Sequence, residues 1–227
     1  MKIETIHGPG NAAANVTLEN AETLVAEGGA MIAMSSNVSI KTTTHQKSKG
    51  GIMSGLKRLL SKESFFLNHF TATANGAVVT VSPTLAGDIK VLELNNERII
   101  VQSGSYIACE HSVEMDMGWQ GFKSLFAKEG LFWINLSGQG KVLVNSFGAI
   151  YPIQVNGEYI VDTGHIVAFD ETLNFSLSKA GKSWLSSILG GEGLVCRFKG
   201  TGTVWCQSHN ASAFGRALGR ELKPIKR

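Results

Sequence analysis

Residues 99–108, Ile-Ile-Val-Gln-Ser-Gly-Ser-Tyr-Ile-Ala, carry the pattern that decides the fold, because the chain repeats it twice. Residues 24–33 read Leu-Val-Ala-Glu-Gly-Gly-Ala-Met-Ile-Ala, and residues 159–168 read Tyr-Ile-Val-Asp-Thr-Gly-His-Ile-Val-Ala. Each copy has an apolar triplet, a polar residue, a glycine two residues later, and then an apolar pair followed by alanine. Such internal repeats indicate structural units that pack on their own copies.

The similarity among the three copies extends beyond this pattern. Upstream of it, Asn20, Asn95-Asn96 and Asn156-Gly157 separate apolar runs, and asparagine and glycine accept the positive φ of a tight turn. Downstream, alternating residues give way to apolar residues at i, i+3 and i+4, which share one face of a helical turn. These triplets are Leu56/Leu59/Leu60, Phe122/Leu125/Phe126 and Leu185/Ile188/Leu189. We therefore predict that each unit consists of two β-hairpins joined by a short helical loop.

The repeats predict a single all-β domain, a pseudo-threefold β-sandwich with short helical loops. Three short units can each leave one sheet face apolar and bury these faces together. The composition agrees, because 43% of the residues are apolar, 17% are charged and 26 of the 227 are glycine. The domain is expected to span 1–227, with repeats over approximately 10–83, 87–146 and 147–207 and a basic C-terminal tail over 208–227.

Neither a membrane-spanning helix nor a signal peptide is predicted. The sequence has no run of 18 apolar residues, which a helix needs to cross a bilayer. Residues 1–7, Met-Lys-Ile-Glu-Thr-Ile-His, lack the continuous apolar segment of a signal peptide. The expected location is therefore cytoplasmic.

Motifs for catalysis and cofactor binding are weak in this sequence. Gly181-Lys182-Ser183 resembles the end of a phosphate-binding loop, but Ser176 stands where that loop needs a glycine. The six histidines do not form the cluster that a β-barrel metalloenzyme requires. No Ser–His–Asp or Cys–His grouping is defined by spacing. We predict a non-enzymatic protein with no catalytic residues, no cofactor and no metal.

Two of the three cysteines, Cys196 and Cys206, flank the stretch Gly200–Gly202 and are predicted to lie opposite each other in a hairpin. One interpretation is a disulfide or half of a metal site. Another copy of the unit has Trp133 and Val144 at these positions. Ordinary apolar packing is therefore the favoured interpretation.

A glutamate follows each helical loop, at Glu63, Glu129 and Glu192. Three carboxylates around a pseudo-threefold axis suit a cation. A glutamate at the end of a helical turn also caps or bridges backbone amides. Its repetition in every unit favours this structural role.

The helical loops are the main functional candidates, because their glycine, apolar residues and lysine suit a membrane contact or a self-association surface. The alternative is that their apolar faces cover the open ends of the sheets. The candidate contact residues are Trp119, Phe122, Phe126, Trp184 and Leu185, with Lys57 and Arg58 to attract phosphate groups.

Basic residues are unevenly placed, although the net charge is only +3. Residues 41–62 contain six Lys or Arg and no acid, and the C-terminal tail is also basic. This stretch makes a nucleic-acid- or small-ligand-binding module the alternative function. RNA binding is less favoured, because no basic array recurs in each unit.

The triplicated Gly-x-apolar-apolar-Ala units, with glycine-rich aromatic loops between strands, resemble the bacterial branch of the altered-inheritance-of-mitochondria family over approximately residues 5–208. The resemblance implies a double-stranded β-helix or β-sandwich prism, a fold grouped with the tryptophan RNA-binding attenuation protein. It also implies a non-enzymatic role and a relative tied to mitochondrial inner-membrane organisation. We therefore expect a homo-oligomeric binding or scaffold protein with a peripheral membrane or protein partner.

Overall fold

The computed structural model describes residues 1–44, 65–116, 132–179 and 194–222, and most of these residues lie in β-strands. The first strands are short: β1 (Lys2–Ile6), β2 (Ala13–Leu18), β3 (Thr23–Glu27), β4 (Met31–Met34), β5 (Val38–Thr44), β6 (Phe66–Ala72) and β7 (Ala77–Val81). The later part of the chain contains β8 (Ile89–Gln102), β9 (Tyr106–Glu110), β10 (Val113–Asp116), β11 (Trp133–Asn145), β12 (Ile150–Asp162), β13 (Ile166–Asp170), β14 (Asn174–Lys179) and β15 (Leu194–Gln207). An α-helix, α1 (Ala211–Glu221), follows β15.

The strands form two antiparallel sheets. The smaller sheet has the order β1-β2-β7-β4. The larger sheet has the order β12-β15-β13-β8-β11-β9-β3-β6-β5, with β10 also paired to β11 and β14 to β15. This architecture is the all-β sandwich class that the sequence predicts. The pseudo-threefold repeat and the double-stranded β-helix stay predictions.

Two strand pairings join successive parts of the chain within the larger sheet. Residues 24–26 of β3 pair with residues 108–110 of β9. Residues 99–101 of β8 pair with residues 168–170 of β13. The first two repeated apolar triplets therefore lie in inner strands, and Ile100 has no exposed surface.

The apolar side chains form three buried clusters, around Phe70, Tyr106 and Phe169. In the third cluster, the ring centroids of Phe169 and Phe198 lie 5.1 Å apart in an edge-to-face arrangement. Burial of each large apolar side chain stabilises the fold by about 1.5–3 kcal/mol. These clusters hold the sheets in the positions that shape the candidate site.

The predicted hairpin turns are wrong. Asn95-Asn96 lies inside the single strand β8, and Asn156-Gly157 lies inside β12. β2 and β3, on either side of Asn20, pair with other strands rather than with each other. Asn96 has a φ of 66° and Gly157 a φ of 106°. A residue with positive φ can bend or bulge a strand without reversing it. Here β8 pairs along its length with β11, and β12 with β15, so the chain continues through these residues.

The prediction that Cys196 and Cys206 face each other is also wrong, because both lie in the continuous strand β15. Both cysteines are free and belong to the third buried cluster. Burial raises the pKa of each thiol to about 12. The structure agrees with the packing interpretation and not with a disulfide.

The predicted basic C-terminal tail over 208–227 contains helix α1, which was not predicted from the sequence. The apolar triplets of the predicted helical loops fall within 45–64, 117–131 and 180–193, outside the described residues. Among the residues that the structure describes, no helix has the length and apolar character needed to cross a membrane.

Candidate functional site

A cavity of about 440 Å³ lies where the three copies of the repeated pattern meet. Gly29, Gly104 and Gly164, the sixth residue of each copy, all contribute to its wall. A volume of several hundred Å³ is typical of sites for small molecules. The repeated glycines therefore mark a candidate binding site.

The second and third copies form similar corners of the cavity. Each has one 3₁₀ turn between two strands, at Ser103–Ser105 and at Thr163–His165. A Cβ added at Gly104 would meet no atom within 4 Å, whereas one at Gly164 would collide with the side chain of Asn210. Asn210 therefore fills a space at the third corner that is open at the second.

The polar residue of the repeated pattern has different partners in each copy. Asp162 accepts a hydrogen bond through Oδ1 from the backbone N–H of Gly164, at 2.7 Å, and so caps the 3₁₀ turn. Gln102, at the same place in the second copy, is buried and makes no capping hydrogen bond. Glu27, its counterpart in the first copy, lines the cavity together with Gln102. Asp162 is thus satisfied locally, while Glu27 and Gln102 face the cavity without such a bond.

Glu27 dominates the electrostatics of the cavity. It is the one ionisable residue among the described residues of the wall. Burial raises the pKa of its carboxyl to about 7, because a less polar environment disfavours the charged form. No lysine, arginine or histidine in the described part of the wall offsets the charge.

Amide side chains supply much of the remaining polar wall. Both polar atoms of the Gln207 amide are hydrogen-bonded, since its Nε2 donates to the carbonyl oxygen of Gly164 at 2.9 Å and its Oε1 accepts from the N–H of Phe147 at 2.8 Å. The side chains of Gln102 and Asn145, only 6% and 8% exposed, make no hydrogen bond to the described residues. Their polar atoms are not among the fully buried side-chain atoms that lack a partner in the described chain, so they are open to solvent in the cavity. These two amides are therefore suited to bind polar atoms in the cavity.

Helix α1 begins at the rim of the cavity. Its N-cap residue Asn210 lines the cavity and accepts a hydrogen bond through Oδ1 from the N–H of Ala213, at 3.0 Å. Phe214, in the first turns of α1, packs on Phe147 with 5.3 Å between the ring centroids. The start of the helix is therefore fixed to the sandwich at the cavity.

The rest of α1 is exposed and amphipathic. No residue of the helix is buried. Phe214 and Leu218 are four residues apart on one face of the helix, and Leu222 is the C-cap residue that follows it. Their exposed fractions are 48%, 47% and 62%. Arg216 and Arg220 lie on the opposite side of the helix. We call Phe214, Leu218 and Leu222 the apolar stripe below.

The residues predicted as a contact surface are not placed by the structure. Trp119, Phe122, Phe126, Trp184, Leu185, Lys57 and Arg58 all lie outside the described residues, as do Glu63, Glu129 and Glu192. Their roles stay predictions. In the basic stretch 41–62, the structure describes residues 41–44, where Lys41 is exposed.

Glu27 and the apolar stripe were missed from the sequence. Glu27 stands at a repeated position, and it carries the longer of the two acidic side chains found there, so the repeat itself was an available clue. The apolar stripe was also available, because Phe214, Leu218 and Leu222 have the i, i+4 spacing of a helical face.

Comparison with known proteins decides the family. The family described as Mitochondrial biogenesis AIM24 matches residues 4–209. The chain belongs to the AIM24 family. This membership confirms the resemblance to the altered-inheritance-of-mitochondria family, while the likeness to the tryptophan RNA-binding attenuation protein stays a prediction.

Two AIM24-like bacterial proteins show how far the similarity extends. An uncharacterized protein of Streptococcus pyogenes serotype M6 is 30% identical over 213 residues, which cover 91% of this chain and 85% of the relative. The crystal structure of a second Streptococcus pyogenes protein, SPYM3_0169, superposes with a TM-score of 0.80 at 26% identity. That match covers 97% of this chain and 99% of the other. The similarity therefore includes the whole sandwich.

Proposed function

We propose that this AIM24-family protein is a non-enzymatic binding protein that attaches to an anionic membrane surface through α1. The observation that carries the proposal is the exposed apolar stripe, of which Phe214 and Leu218 lie on a helix with no buried residue and Leu222 directly follows that helix. An amphipathic helix with basic residues on its polar side is typical of interfacial membrane contacts. In this proposal α1 attaches the protein to the membrane, and the β-sandwich performs the scaffold role expected from the sequence.

The positive charge of α1 and of the residues after it supports an anionic membrane surface as the partner. Arg216 and Arg220 lie on the polar side of α1, where they can reach lipid phosphates beside a shallowly inserted helix. The sequence continues with Lys223, Lys226 and Arg227. Each basic residue near an anionic membrane contributes about 1 kcal/mol to binding.

Flotation with liposomes tests this proposal. The purified protein should float with vesicles of phosphatidylcholine and phosphatidylglycerol and remain unbound with phosphatidylcholine alone. A Leu218→Ser/Leu222→Ser variant should lose flotation, because its helix no longer buries an apolar stripe in the interface. An Arg216→Gln/Arg220→Gln variant should bind about tenfold or more weakly at low salt.

Ile40→Ser is the matched control, because Ile40 is 44% exposed but lies on β5, outside α1. This variant should float like the wild type. Equal flotation of the Leu218→Ser/Leu222→Ser variant would contradict the role of α1 and direct attention to the predicted loop residues Trp119 and Trp184. Absence of flotation of the wild type would contradict membrane attachment itself.

Self-association is a second candidate, favoured by two exposed strand edges. Among the described residues, β4 pairs only with β7, and β12 pairs only with β15. Ile32 on β4 and Ile160 on β12 are 59% and 48% exposed. An unpaired edge with apolar side chains is a template for pairing with another chain. We expect the protein to sediment as an oligomer and Ile160→Lys to shift it toward the monomer, whereas a monomeric wild type would exclude this candidate.

A further inference from the structure

The cavity wall joins one carboxylate to neutral amides and apolar side chains. Glu27 supplies the carboxylate, Gln102 and Asn145 supply the amides, and Ile107 and Leu85 are among the apolar residues. We propose that the cavity is a binding site for a small organic amine that carries one positive charge. The cavity is lined in part by Asn210, Ala211 and Ser212 at the start of α1, but it does not include the apolar stripe. Amine binding and liposome binding are measured separately, so either proposal can fail alone.

The charge of the wall favours a singly charged cation. Because Glu27 is the one ionisable residue of the described wall, a single positive charge neutralises the site. A divalent metal ion such as Ca²⁺ takes six to eight oxygen ligands and usually several carboxylates. The described residues contain no group of three or more His, Cys, Asp or Glu placed to hold a metal ion. The oxygen atoms of the described wall, with a single carboxylate among them, therefore suit an ammonium group better than a divalent metal ion.

Hydrogen bonding also favours an ammonium group, which donates in three directions. The carboxylate of Glu27 accepts charge-assisted hydrogen bonds, which are about twice as strong as neutral ones. The amide oxygens of Gln102 and Asn145 add acceptors, and neither amide has a partner in the described chain. A bound amine would thus replace water at amide groups that the described chain itself does not hydrogen-bond.

The size and the apolar part of the wall point to an amine with an organic body. A cavity of about 440 Å³ is much larger than the space of one water molecule, about 30 Å³. Leu85, Ile107 and Phe147 offer apolar surface to a hydrocarbon group. A primary amine on an alkyl or aromatic body combines the two kinds of contact.

Titration calorimetry at about pH 8, where the carboxyl of Glu27 is largely ionised, tests the proposal. The probes are propylamine and benzylamine, each compared with its neutral isostere, propanol or benzyl alcohol, and CaCl₂ is tested alone. We expect an amine to bind at least about tenfold more tightly than its alcohol, the effect of one charge-assisted hydrogen bond. Glu27→Gln should remove this difference, because the amide has the shape of the carboxylate without its charge.

Two variants separate the site from general effects. Glu93→Gln makes the same chemical change at an exposed position of β8 and should bind amines like the wild type. Gly104→Leu should weaken amine binding, because a side chain at Gly104 enters open space at the cavity wall. Circular dichroism and thermal unfolding confirm that each variant is folded.

Three results would overturn the proposal. These are equal affinity for amines and alcohols, unchanged amine binding by folded Glu27→Gln, and no binding of either amine up to about 10 mM, the range of the weakest specific small-ligand sites. Binding of Ca²⁺ with no response to amines would also overturn it and identify the cavity as a metal site. None of these results bears on the flotation of the protein with liposomes.

Discussion

The second and third corners of the cavity have a similar backbone conformation, a 3₁₀ turn between two strands, but their polar side chains have different partners. At the third corner, Asp162 caps its own 3₁₀ turn and Asn210 fills the space beside Gly164. At the second corner, Gln102 makes no capping bond and the space beside Gly104 is open. The polar groups of the third corner therefore stabilise the fold, whereas those of the second corner remain available in the cavity wall. One repeated pattern can thus serve stability in one copy and leave groups available for binding in another.

Gly164→Ala should have the largest effect on this comparison. The new methyl group would collide with the side chain of Asn210, so Asn210 must move and α1 must lose its cap. We expect a loss of about 2–4 kcal/mol in the free energy of unfolding, from overpacking and the lost cap together. Urea unfolding followed by circular dichroism measures it.

Gly104→Ala is the control for that substitution, because the same methyl group there meets no atom within 4 Å. Its free energy of unfolding should stay within about 0.5 kcal/mol of the wild type. If the two alanine variants were equally stable, the two corners would not differ in the way the structure shows.

Glu27→Gln should have the next largest effect, and its sign depends on pH. The carboxyl of Glu27 has a pKa of about 7 in the folded protein, raised from 4.5. The contribution of this carboxyl to the free energy of unfolding is therefore most favourable below about pH 4.5, where the group is protonated in both states. This contribution is lost as the pH rises through about 7 and the buried carboxyl ionises. The variant should be more stable than the wild type at about pH 8, by on the order of 2 kcal/mol after allowance for partial exposure.

Thermal unfolding of both proteins between about pH 5 and pH 8 measures this difference. Burial raises the pKa of Tyr106, which interacts with Glu27, well above 10 and that of Cys109 to about 11, so neither of these groups titrates in this range. Glu93→Gln, at an exposed position, should show the pH dependence of the wild type. A Glu27→Gln variant with unchanged pH dependence would show that the carboxyl is well solvated.

Asp162→Ala should have a smaller effect, because it removes a single capping hydrogen bond to the N–H of Gly164. A lost N-cap of this kind costs about 1 kcal/mol. Gln102→Ala, the corresponding change at the second corner, removes no capping bond and should cost less. Chemical unfolding of the two variants compares them directly, and a greater loss from Gln102→Ala would reverse our assignment of the two corners.

Much of the fold could be predicted from the sequence, because local patterns report burial well. The triplets at 24–26 and 99–101 are inner strands, as their apolar character indicates. The third triplet is less buried than expected, since Tyr159 and Ile160 are 46% and 48% exposed on the outer strand β12. Whether a strand lies inside or at the edge depends on distant partners, which a local pattern does not contain.

The candidate site was harder to predict for the same reason. Its wall combines Glu27, Gln102 and Asn145, which are separated by dozens of residues and meet only in the folded chain. Glu27 and Gln102 occupy the polar position of the repeated pattern, but Asn145 lies outside it, and the pattern does not indicate that these side chains meet. The prediction of hairpin turns at Asn95-Asn96 and Asn156-Gly157 was wrong for a related reason, because a residue with positive φ fits a bend within a strand as well as a reversal of the chain.

Asn210 links two parts of the molecule through a single amide group. Its side chain forms part of the cavity wall and also holds the first turn of α1 through the N–H of Ala213. A ligand that shifts Asn210 from the cavity side therefore changes the free energy of the helix, and a surface that shifts α1 changes the affinity of the cavity. Thermodynamic reciprocity requires the two effects to have the same coupling free energy. An amine that moves Asn210 would therefore change the liposome affinity of α1 by the same factor by which liposomes change the amine affinity of the cavity.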